Sequence, residues 1–480
     1  MSPVMIDRDR YNALQRPCLA TLVIAGLWLA ASAAGARADE PSSARPLVFW
    51  NAEDVVETAG SRLIFGAEPL RPGGQATGFP EGAQYGCSVP RDDGSHSIYF
   101  WRLANWQEPA GRTVEVLRAT TKDGLRFENT QTVFREVNPK WQGFVNVVHR
   151  PQRDGQPGSL FLFSFSAGFL YAYQSADGTE WKLLTTNAYQ EHDACCVIWH
   201  PGLNALVNYQ HTLQPWPGKR YPDNIGAHRR VMSFRRSDDG VKWESLSPPS
   251  LEGKRIWTPD EDDPVDLEFY RPAVFEHAGR FAMLLLDYIA PPPEANSRRL
   301  VTKHGPRASA EWAQSRDGLD WQRRHRELDA TQHFTWAPVQ GPLVLDGRLR
   351  FYSSSGQVAE LPDDRIFFVT SRGNGEFSTR PFTMPKAGLR LNAEVLFQPG
   401  EGAGRAYLMA ALLDEQGNPI AGFERAKCLL ENVDGRDLPL AWQGADTASL
   451  AGRKVRLRFY LRDAKIYGVG PAKAVKEDEP

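Results

Sequence analysis

The stretch that decides the fold is Ser175-Ala-Asp177-Gly178-Thr-Glu-Trp181. We call this phrase the Asp-Gly turn, and its other copies are Ser237-Asp-Asp239-Gly240-Val-Lys-Trp243, Ser315-Arg-Asp317-Gly318-Leu-Asp-Trp321, the variant Thr121-Lys-Asp123-Gly124-Leu-Arg-Phe127 and the degenerate Ser371-Arg-Gly373-Asn374-Gly375-Glu-Phe377. Measured between first residues, the spacings are 54, 62, 78 and 56 residues. A period slightly above about 50 residues, with insertions, is typical of the blades of a β-propeller.

The residue types in this phrase suit a tight turn between two strands. Asp-Gly suits a tight hairpin turn in which glycine accepts a positive φ, and the leading Ser or Thr can brace that turn by a local hydrogen bond. The closing Trp or Phe then lies on the outgoing strand and packs between blades. These residues are therefore predicted to be structural, without a catalytic role.

Paired apolar runs fill the intervals between the turns and read as strand, turn, strand. We predict an all-β protein with a five-bladed β-propeller at residues 47–383. Alternating segments such as Leu389–Val395 and Lys454–Leu461 predict a small antiparallel β-sandwich at 386–470. The charged tail 471–480 is predicted to be disordered.

The N-terminus has the order of a secretory signal. Arg8, Arg10 and Arg16 precede an apolar run from Leu19 to Ala31, and Ala36-Arg37-Ala38 resembles a cleavage site. The apolar run is shorter than the roughly 20 residues that span a bilayer. We predict a signal peptide at 1–38, a secreted or periplasmic mature protein and no membrane association after cleavage.

Composition narrows the function classes. The 480 residues are 41% hydrophobic and 24% charged, with a formal net charge of -2, so nothing favours nucleic acid as a partner. Neither CxxC nor HExxH occurs, so the sequence predicts no structural zinc. We expect a monomer without a cofactor. A calcium ion in the channel and a disulfide between Cys195 and Cys196 stay open.

The turns and two further motifs resemble a known group of enzymes. Asp193 precedes Val197-Ile-Trp199-His-Pro201, and the third Trp-containing turn precedes Gly341-Pro-Leu-Val-Leu-Asp-Gly347-Arg-Leu-Arg-Phe-Tyr352. Together they resemble secreted glycoside hydrolases of families 32 and 43, the invertase/levanase and arabinanase/xylosidase types. The resemblance implies a five-bladed propeller with carboxylates at one end of its channel, followed by a β-sandwich.

This sequence also departs from the family pattern. The Asn-Asp-Pro-Asn-Gly opening of the invertase-like enzymes is missing, as are their Arg-Asp-Pro and Glu-Cys motifs. No nucleophile or acid can therefore be carried over by motif. Sialidases have similar turns, but they have six blades and an arginine triad, and Phe269-Tyr-Arg271-Pro272 only partly resembles their Arg-Ile-Pro motif.

Glycoside hydrolysis needs an acid and a second carboxylate within about 5–10 Å of each other. Aligning the innermost strands on their following turns places Asp193 and Glu268 at one depth of the channel, and Asp266 shares a strand face with Glu268. These three are the predicted catalytic residues. The predicted substrate-binding residues are His192, His149, His333, Trp336 and Arg271.

The predicted function is an exported glycoside hydrolase that uses paired carboxylates on a carbohydrate substrate. A non-catalytic glycan-binding propeller, a polysaccharide lyase or phosphorylase, and a sialidase are the alternatives. Two facing carboxylates at the channel end would favour a hydrolase. Arg or Lys with His or Tyr would favour a lyase or phosphorylase, and an aromatic floor without carboxylates would favour binding alone.

The sequence yields one direct test. Asp193→Asn preserves shape and hydrogen bonding but removes the charge, so we expect turnover of a cleaved polysaccharide to fall by orders of magnitude while the Tm changes little. Steady-state rates and thermal unfolding of both proteins measure this. Undiminished turnover would remove Asp193 from the chemistry.

Overall fold

The computed structural model describes residues 46–57, 62–105, 107–138, 140–152, 157–192, 194–246, 256–292, 300–396 and 406–471. The predicted signal peptide and the predicted tail beyond Pro471 lie outside these residues. No helix within the described ranges is long and apolar enough to cross a membrane. The described chain is all-β, as predicted, with short 3-10 turns at Ala52–Asp54, Pro109–Gly111, Arg425–Lys427 and Thr447–Leu450.

Five antiparallel sheets of four main strands form the larger part of the described fold. We number them blades 1 to 5 and give their strands from the innermost outward. Their bounds are Gln84–Pro90, His96–Ala104, Thr113–Thr121 and Glu128–Val137 in blade 1; Trp141–Arg150, Ser159–Ser166, Phe169–Ser175 and Lys182–Thr185 in blade 2; Cys195–His200, Ala205–Pro215, His228–Ser237 and Glu244–Ser245 in blade 3, with Ile256–Trp257 also on its third strand; Leu267–His277, Arg280–Ile289, Ala310–Ser315 and Trp321–Gln322 in blade 4; and Leu343–Leu345, Arg348–Tyr352, Gln357–Pro362 and Arg71–Gln75 in blade 5.

Five apolar clusters join each blade to the next and blade 5 back to blade 1. Ring pairs within these clusters are Phe134 with Tyr173 for blades 1 and 2, Phe163 with Trp243 for blades 2 and 3, Tyr209 with Trp321 for blades 3 and 4, Phe275 with Phe351 for blades 4 and 5, and Tyr85 with Tyr352 for blades 5 and 1. The sheets therefore form a closed ring, which is the arrangement of a five-bladed propeller.

The ring is closed by a strand from near the N-terminus. Arg71–Gln75 pairs with Gln357–Pro362 and supplies the outermost strand of blade 5. The degenerate repeat copy at 371–377 instead connects the strands Phe367–Ser371 and Asn374–Thr379, which belong to different sheets of the sandwich. It lacks the Asp-Gly pair because blade 5 draws its third and fourth strands from distant parts of the chain and needs no turn between them.

The remaining strands form two facing six-stranded sheets that share one apolar core. One sheet contains Leu47–Val48, Leu63–Ala67, Phe367–Ser371, Leu389–Val395, Val433–Leu440 and Lys465–Pro471, and the other contains Val55–Glu57, Asn374–Thr379, Phe382–Thr383, Tyr407–Asp414, Leu429–Leu430 and Lys454–Arg462. The structure thus divides the chain differently from the predicted boundary at 383. Strands before residue 68 and after residue 366 pair with the C-terminal strands. The hydrophobic pattern of one strand does not show which distant strand it pairs with, so the sequence could not reveal this arrangement.

The four intact Asp-Gly turns have the predicted geometry. In blade 2, Ser175 Oγ accepts a hydrogen bond from Gly178 N at 2.9 Å, and Asp177 Oδ1 accepts from Thr179 N and Glu180 N at 2.8 and 3.0 Å. Gly178 has a φ of 75°, and a Cβ there would lie 1.9 Å from the hydroxyl of Tyr99 in blade 1. Only glycine fits both constraints.

Each intact turn packs on an aromatic side chain of the preceding blade. Tyr352 Oη donates to Gly124 O at 2.7 Å and Tyr209 Oη donates to Gly318 O at 2.9 Å, while Phe161 lies against Gly240. The aromatic residue that closes the phrase is also buried between blades: Trp321 is 7% exposed and belongs to the cluster between blades 3 and 4. The turns therefore align neighbouring blades at one end of the ring.

We predict that Trp321→Ala lowers the free energy of unfolding by about 3–5 kcal/mol, because it empties a packed site between two blades. Urea unfolding of the full chain measures the loss. Leu183→Ala is the control, since Leu183 is 47% exposed and should change stability little. Equal midpoints for the two variants would contradict the structural role of the ring.

Candidate functional site

The candidate site lies where the innermost strands begin, at the end of the ring opposite the Asp-Gly turns. We call this end the mouth. Neighbouring innermost strands are level with each other, because Asn146 Oδ1 accepts from Val197 N at 3.1 Å and Cys196 Sγ lies 3.4 Å from Val274 N. Residues before these contact points therefore lie toward the mouth, and residues after them lie toward the turns.

Glu268 is at the mouth but is fully engaged. Its side chain is buried, with Oε1 2.6 Å from Lys219 Nζ and Oε2 2.7 Å from Arg230 Nη1. Asp223 lies 3.0 Å from both cations, which completes a buried cluster of two positive and two negative charges. Both oxygens of Glu268 are thus committed to ion pairs, and this arrangement does not fit the catalytic role that the sequence predicted.

Asp266 is in a different situation, one residue before the innermost strand of blade 4. Its side chain is half-buried, and the preceding Val265 is 71% exposed, so solvent reaches this point. Its Oδ1 is buried and accepts no hydrogen bond among the described residues. A buried carboxylate oxygen without a donor is costly, and such groups are frequent at functional sites.

Asp193 lies outside the described residues, so its catalytic role stays a prediction. Its neighbour His192 is described and is half-buried. The ring of His192 lies 5.5 Å from that of His211, which places this part of the chain beside the innermost strand of blade 4 through the contacts described next.

Four rings form a continuous row at the mouth, which we call the ring row: His192, His211, Tyr270 and Tyr288. Their successive centroids lie 5.5, 6.0 and 5.8 Å apart. The Arg230 guanidinium carbon lies 5.4 Å from the Tyr270 centroid and 5.0 Å from that of Tyr288. One cation of the buried cluster therefore supports both tyrosine rings.

Burial fixes the protonation of this row. It lowers the pKa of His211 to about 3 and also lowers the pKa of His192, so both imidazoles are neutral near pH 7. Burial raises the pKa of Tyr288 to about 12, which keeps its phenol protonated. The row therefore combines two neutral imidazoles with a protonated phenol; His211 is buried, whereas His192, Tyr270 and Tyr288 are half-buried.

Two predicted binding residues occupy other places. His149 follows Asn146 by three residues, about 10 Å along the strand toward the turns, so it does not join the mouth. The prediction failed because its alignment on the following turns ignored the strand's true register. Burial raises the pKa of the Cys196 thiol to about 11, and the nearby charge of Arg271 partly offsets this rise; Arg271 is 5% exposed, so it lies between innermost strands rather than in solvent.

His333 and Trp336 lie in the connection from blade 4 to blade 5, on the side of the mouth. His333 is exposed, whereas Trp336 is half-buried and its indole donates to Gln357 Oε1 at 3.0 Å. The Phe334 and Trp336 centroids are 5.3 Å apart. This pair forms an aromatic surface separate from the ring row.

A second buried charge cluster lies in blade 4. Lys303 and Arg323 both contact Glu311, and Arg323 also pairs with Asp263. Asp287 is 1% exposed, and its Oδ2 lies 3.9 Å from Lys303 Nζ, too far for a hydrogen bond. Burial raises the pKa of Asp287 to about 7. This carboxyl is therefore buried within blade 4.

Sequence reasoning missed the contribution of His211, Tyr288, Lys219 and Asp223. The last two lie in the irregular insertion between the second and third strands of blade 3, where no periodicity indicates contacts. Arg229 and Arg230, near the start of the third strand, were the available signal, because a buried arginine such as Arg230 needs a carboxylate partner. Across the described residues, no group of three or more His, Cys, Asp or Glu side chains is arranged to hold a metal, and Cys195 and Cys196 are both free thiols.

Comparisons with known proteins give only distant similarity. A fructofuranosidase from Schwanniomyces occidentalis complexed with fructose is 8% identical, with a TM-score of 0.35 over 84% of this chain and 97% of that chain. A Penicillium chrysogenum alpha-L-arabinanase complexed with arabinobiose is 12% identical, with a TM-score of 0.33 over 65% of this chain and 82% of that chain.

A protein of unknown function from Dyadobacter fermentans is 12% identical, with a TM-score of 0.36 over 82% of this chain and 99% of that chain. No protein-family profile and no curated protein matches the chain. Similarities at this level assign neither a substrate nor a reaction to this protein.

The raised pKa of Asp287 predicts how the stability of the protein depends on pH. Its folded pKa, about 7, lies above the value of about 3.9 expected in the unfolded chain. The stability that it contributes is therefore fully present below about pH 4 and is lost as pH rises through about 7. Asp287→Asn should gain stability relative to the parent protein between pH 4.5 and pH 8, as measured by urea midpoints. Parallel pH profiles for the two proteins would contradict the raised pKa.

Proposed function

We propose that this protein is an exported carbohydrate-active enzyme that hydrolyses glycosidic bonds at the mouth, beside the starts of blades 3 and 4. The observation that carries the proposal is the uncommitted Asp266 oxygen at the start of the innermost strand of blade 4. Asp266 is the predicted catalytic carboxylate that the ion pairs of this region leave available.

The ring row supports sugar binding at the same place. Aromatic faces cover the C–H surfaces of sugar rings, and the polar edges of His192 and Tyr270 can exchange hydrogen bonds with hydroxyl groups. The cluster around Glu268 keeps this surface rigid, because Arg230 is held by two carboxylates while it supports Tyr270 and Tyr288. Rigid supporting contacts favour accurate positioning of a substrate.

Hydrolysis needs a second carboxylate. Because Glu268 is paired with two cations, we assign Asp193 as the partner of Asp266 on sequence grounds. One of the two would protonate the glycosidic oxygen, while the other would activate water or attack the anomeric carbon. The assignment of acid and base between them stays open. The predicted signal peptide supports action outside the cytoplasm, and we expect the mature protein to be a monomer.

A lyase is the second candidate, and the ring row is the observation that favours it. β-Elimination at a uronate needs a base for the C5 proton, and it needs charge stabilisation of the carboxylate. Neutral His192 could accept that proton, and a tyrosine of the row could protonate the leaving oxygen. The two chemistries give different products, so one experiment separates them.

We predict that Asp266→Asn reduces hydrolysis roughly hundredfold or more, because it removes a group that moves a proton or attacks the sugar. The mature protein is incubated with plant, algal and bacterial polysaccharides, and new reducing ends and unsaturated uronate products are both quantified. Asp262→Asn is the matched control, since Asp262 is an exposed carboxylate in the preceding loop.

Three outcomes decide between the proposals. Reducing ends without unsaturation, lost in Asp266→Asn but not in Asp262→Asn, support hydrolysis. Unsaturated products that persist in Asp266→Asn and disappear in Tyr270→Phe would replace hydrolysis by elimination. Binding of a polysaccharide without any product would make the protein a non-catalytic glycan-binding propeller.

A further inference from the structure

The third strand of blade 3, His228–Ser237, carries four arginines, and one of them differs from the rest. Arg230 pairs with Glu268 and Asp223, Arg235 pairs with Glu191, and Arg236 pairs with Asp238. Across the described part of the chain, no carboxylate lies within ion-pair distance of Arg229. Since Arg229 is half-buried, it carries a partly desolvated charge without an anion.

The orientation of Arg229 is fixed by two neighbours. Its guanidinium carbon lies 4.0 Å from the ring centroid of Trp216, and its Nε donates to Gln214 Oε1 at 2.9 Å. Stacking and one edge hydrogen bond hold the guanidinium plane, so the two terminal nitrogens form a prepared fork of donors. Neither terminal nitrogen makes a hydrogen bond to any other described residue.

The surroundings of Arg229 contain more hydrogen-bond donors than hydrogen-bond acceptors. The indole N–H of Trp216 is buried and also finds no acceptor among the described residues. Burial lowers the pKa of Arg229, although the carboxylate of Glu268 acts against this shift. Exposed Arg220 adds another positive charge in the same insertion. A site with surplus donors and surplus positive charge lacks an oxyanion.

Arg229 is also within electrostatic reach of the candidate active site, since the charge of Glu268 acts on its pKa. It precedes Arg230, whose guanidinium lies over the Tyr270 and Tyr288 rings. Successive strand residues point to opposite faces, so Arg229 lies on the other face of the strand from Arg230, at the end of the strand nearer the mouth.

We infer that Arg229 is a specificity-determining residue that binds an oxyanion on the substrate, and that the substrate is an acidic glycan. This inference rests on the proposed function and narrows it to a substrate class. The oxyanion is a uronate carboxylate or a sulfate ester, because a planar guanidinium fork fits the paired oxygens of either group. A neutral glycan would leave the site unfilled.

The test compares charged and neutralised ligands on the mature protein by calorimetric titration. Oligogalacturonate and its methyl ester form one arm, and a sulfated galactan oligosaccharide and its desulfated form make up the other. We expect one charged ligand to bind roughly tenfold or more tightly than its neutral counterpart, and Arg229→Gln to remove that preference. Arg229→Lys should restore it only in part, since lysine cannot form the fork.

Arg236→Gln is the matched control, because Arg236 is on the same strand but at its other end, paired with Asp238. Its ligand affinities should be unchanged, and circular dichroism checks that every variant is folded. Equal binding by Arg229→Gln and the parent protein would overturn the inference. Cleavage of a neutral glycan that depends on Asp266 but not on Arg229 would overturn it and leave the proposed function intact, whereas failure to bind any glycan would overturn both.

Discussion

The contact on which the ring depends is the seating of an Asp-Gly turn against an aromatic side chain of the preceding blade. The aspartate carboxylate shapes the turn by accepting two backbone N–H groups, and the glycine lets the neighbouring ring approach its backbone. Four blades repeat this contact at one end of the ring. Because it fixes how adjacent blades meet, it also brings the starts of the innermost strands together at the other end, where the candidate site lies.

Charge balance explains which side chains at that end remain available. Lys219, Arg230, Asp223 and Glu268 neutralise one another in a buried cluster, so they hold an insertion of blade 3 against blade 4. Burying ion pairs is expensive unless every charge has a partner, and here each one does. Asp266 and Arg229 differ from these four: within the described part of the chain, Asp266 Oδ1 accepts no hydrogen bond and Arg229 has no carboxylate at ion-pair distance. An acidic sugar substrate would satisfy both residues, since its hydroxyl groups can donate to Asp266 and its oxyanion can pair with Arg229.

The repeated turns made much of this fold predictable, because their chemistry is local. Ser175, Asp177 and Gly178 determine their own geometry within a few residues, and the all-β prediction followed from that repetition. Long-range pairing could not be predicted in the same way. Nothing near residues 71–75 indicates a partner almost three hundred residues later, and Glu268 gives no sign that Lys219 neutralises it. His149 was misplaced for a related reason, since the level of one strand against the next depends on side-chain packing between blades.

The strand that closes the ring has a consequence for how the chain folds. Arg71–Gln75 emerges early in synthesis, yet the strand with which it pairs, Gln357–Pro362, emerges much later. Until then, the segment must remain an unpaired edge, which is open to aggregation or to pairing with another molecule. Such high contact order slows the final step of folding. Its one proline, Pro72, and its two glycines, Gly73 and Gly74, make it a poor template for strand pairing, and so reduce premature association while the rest of the ring is assembled.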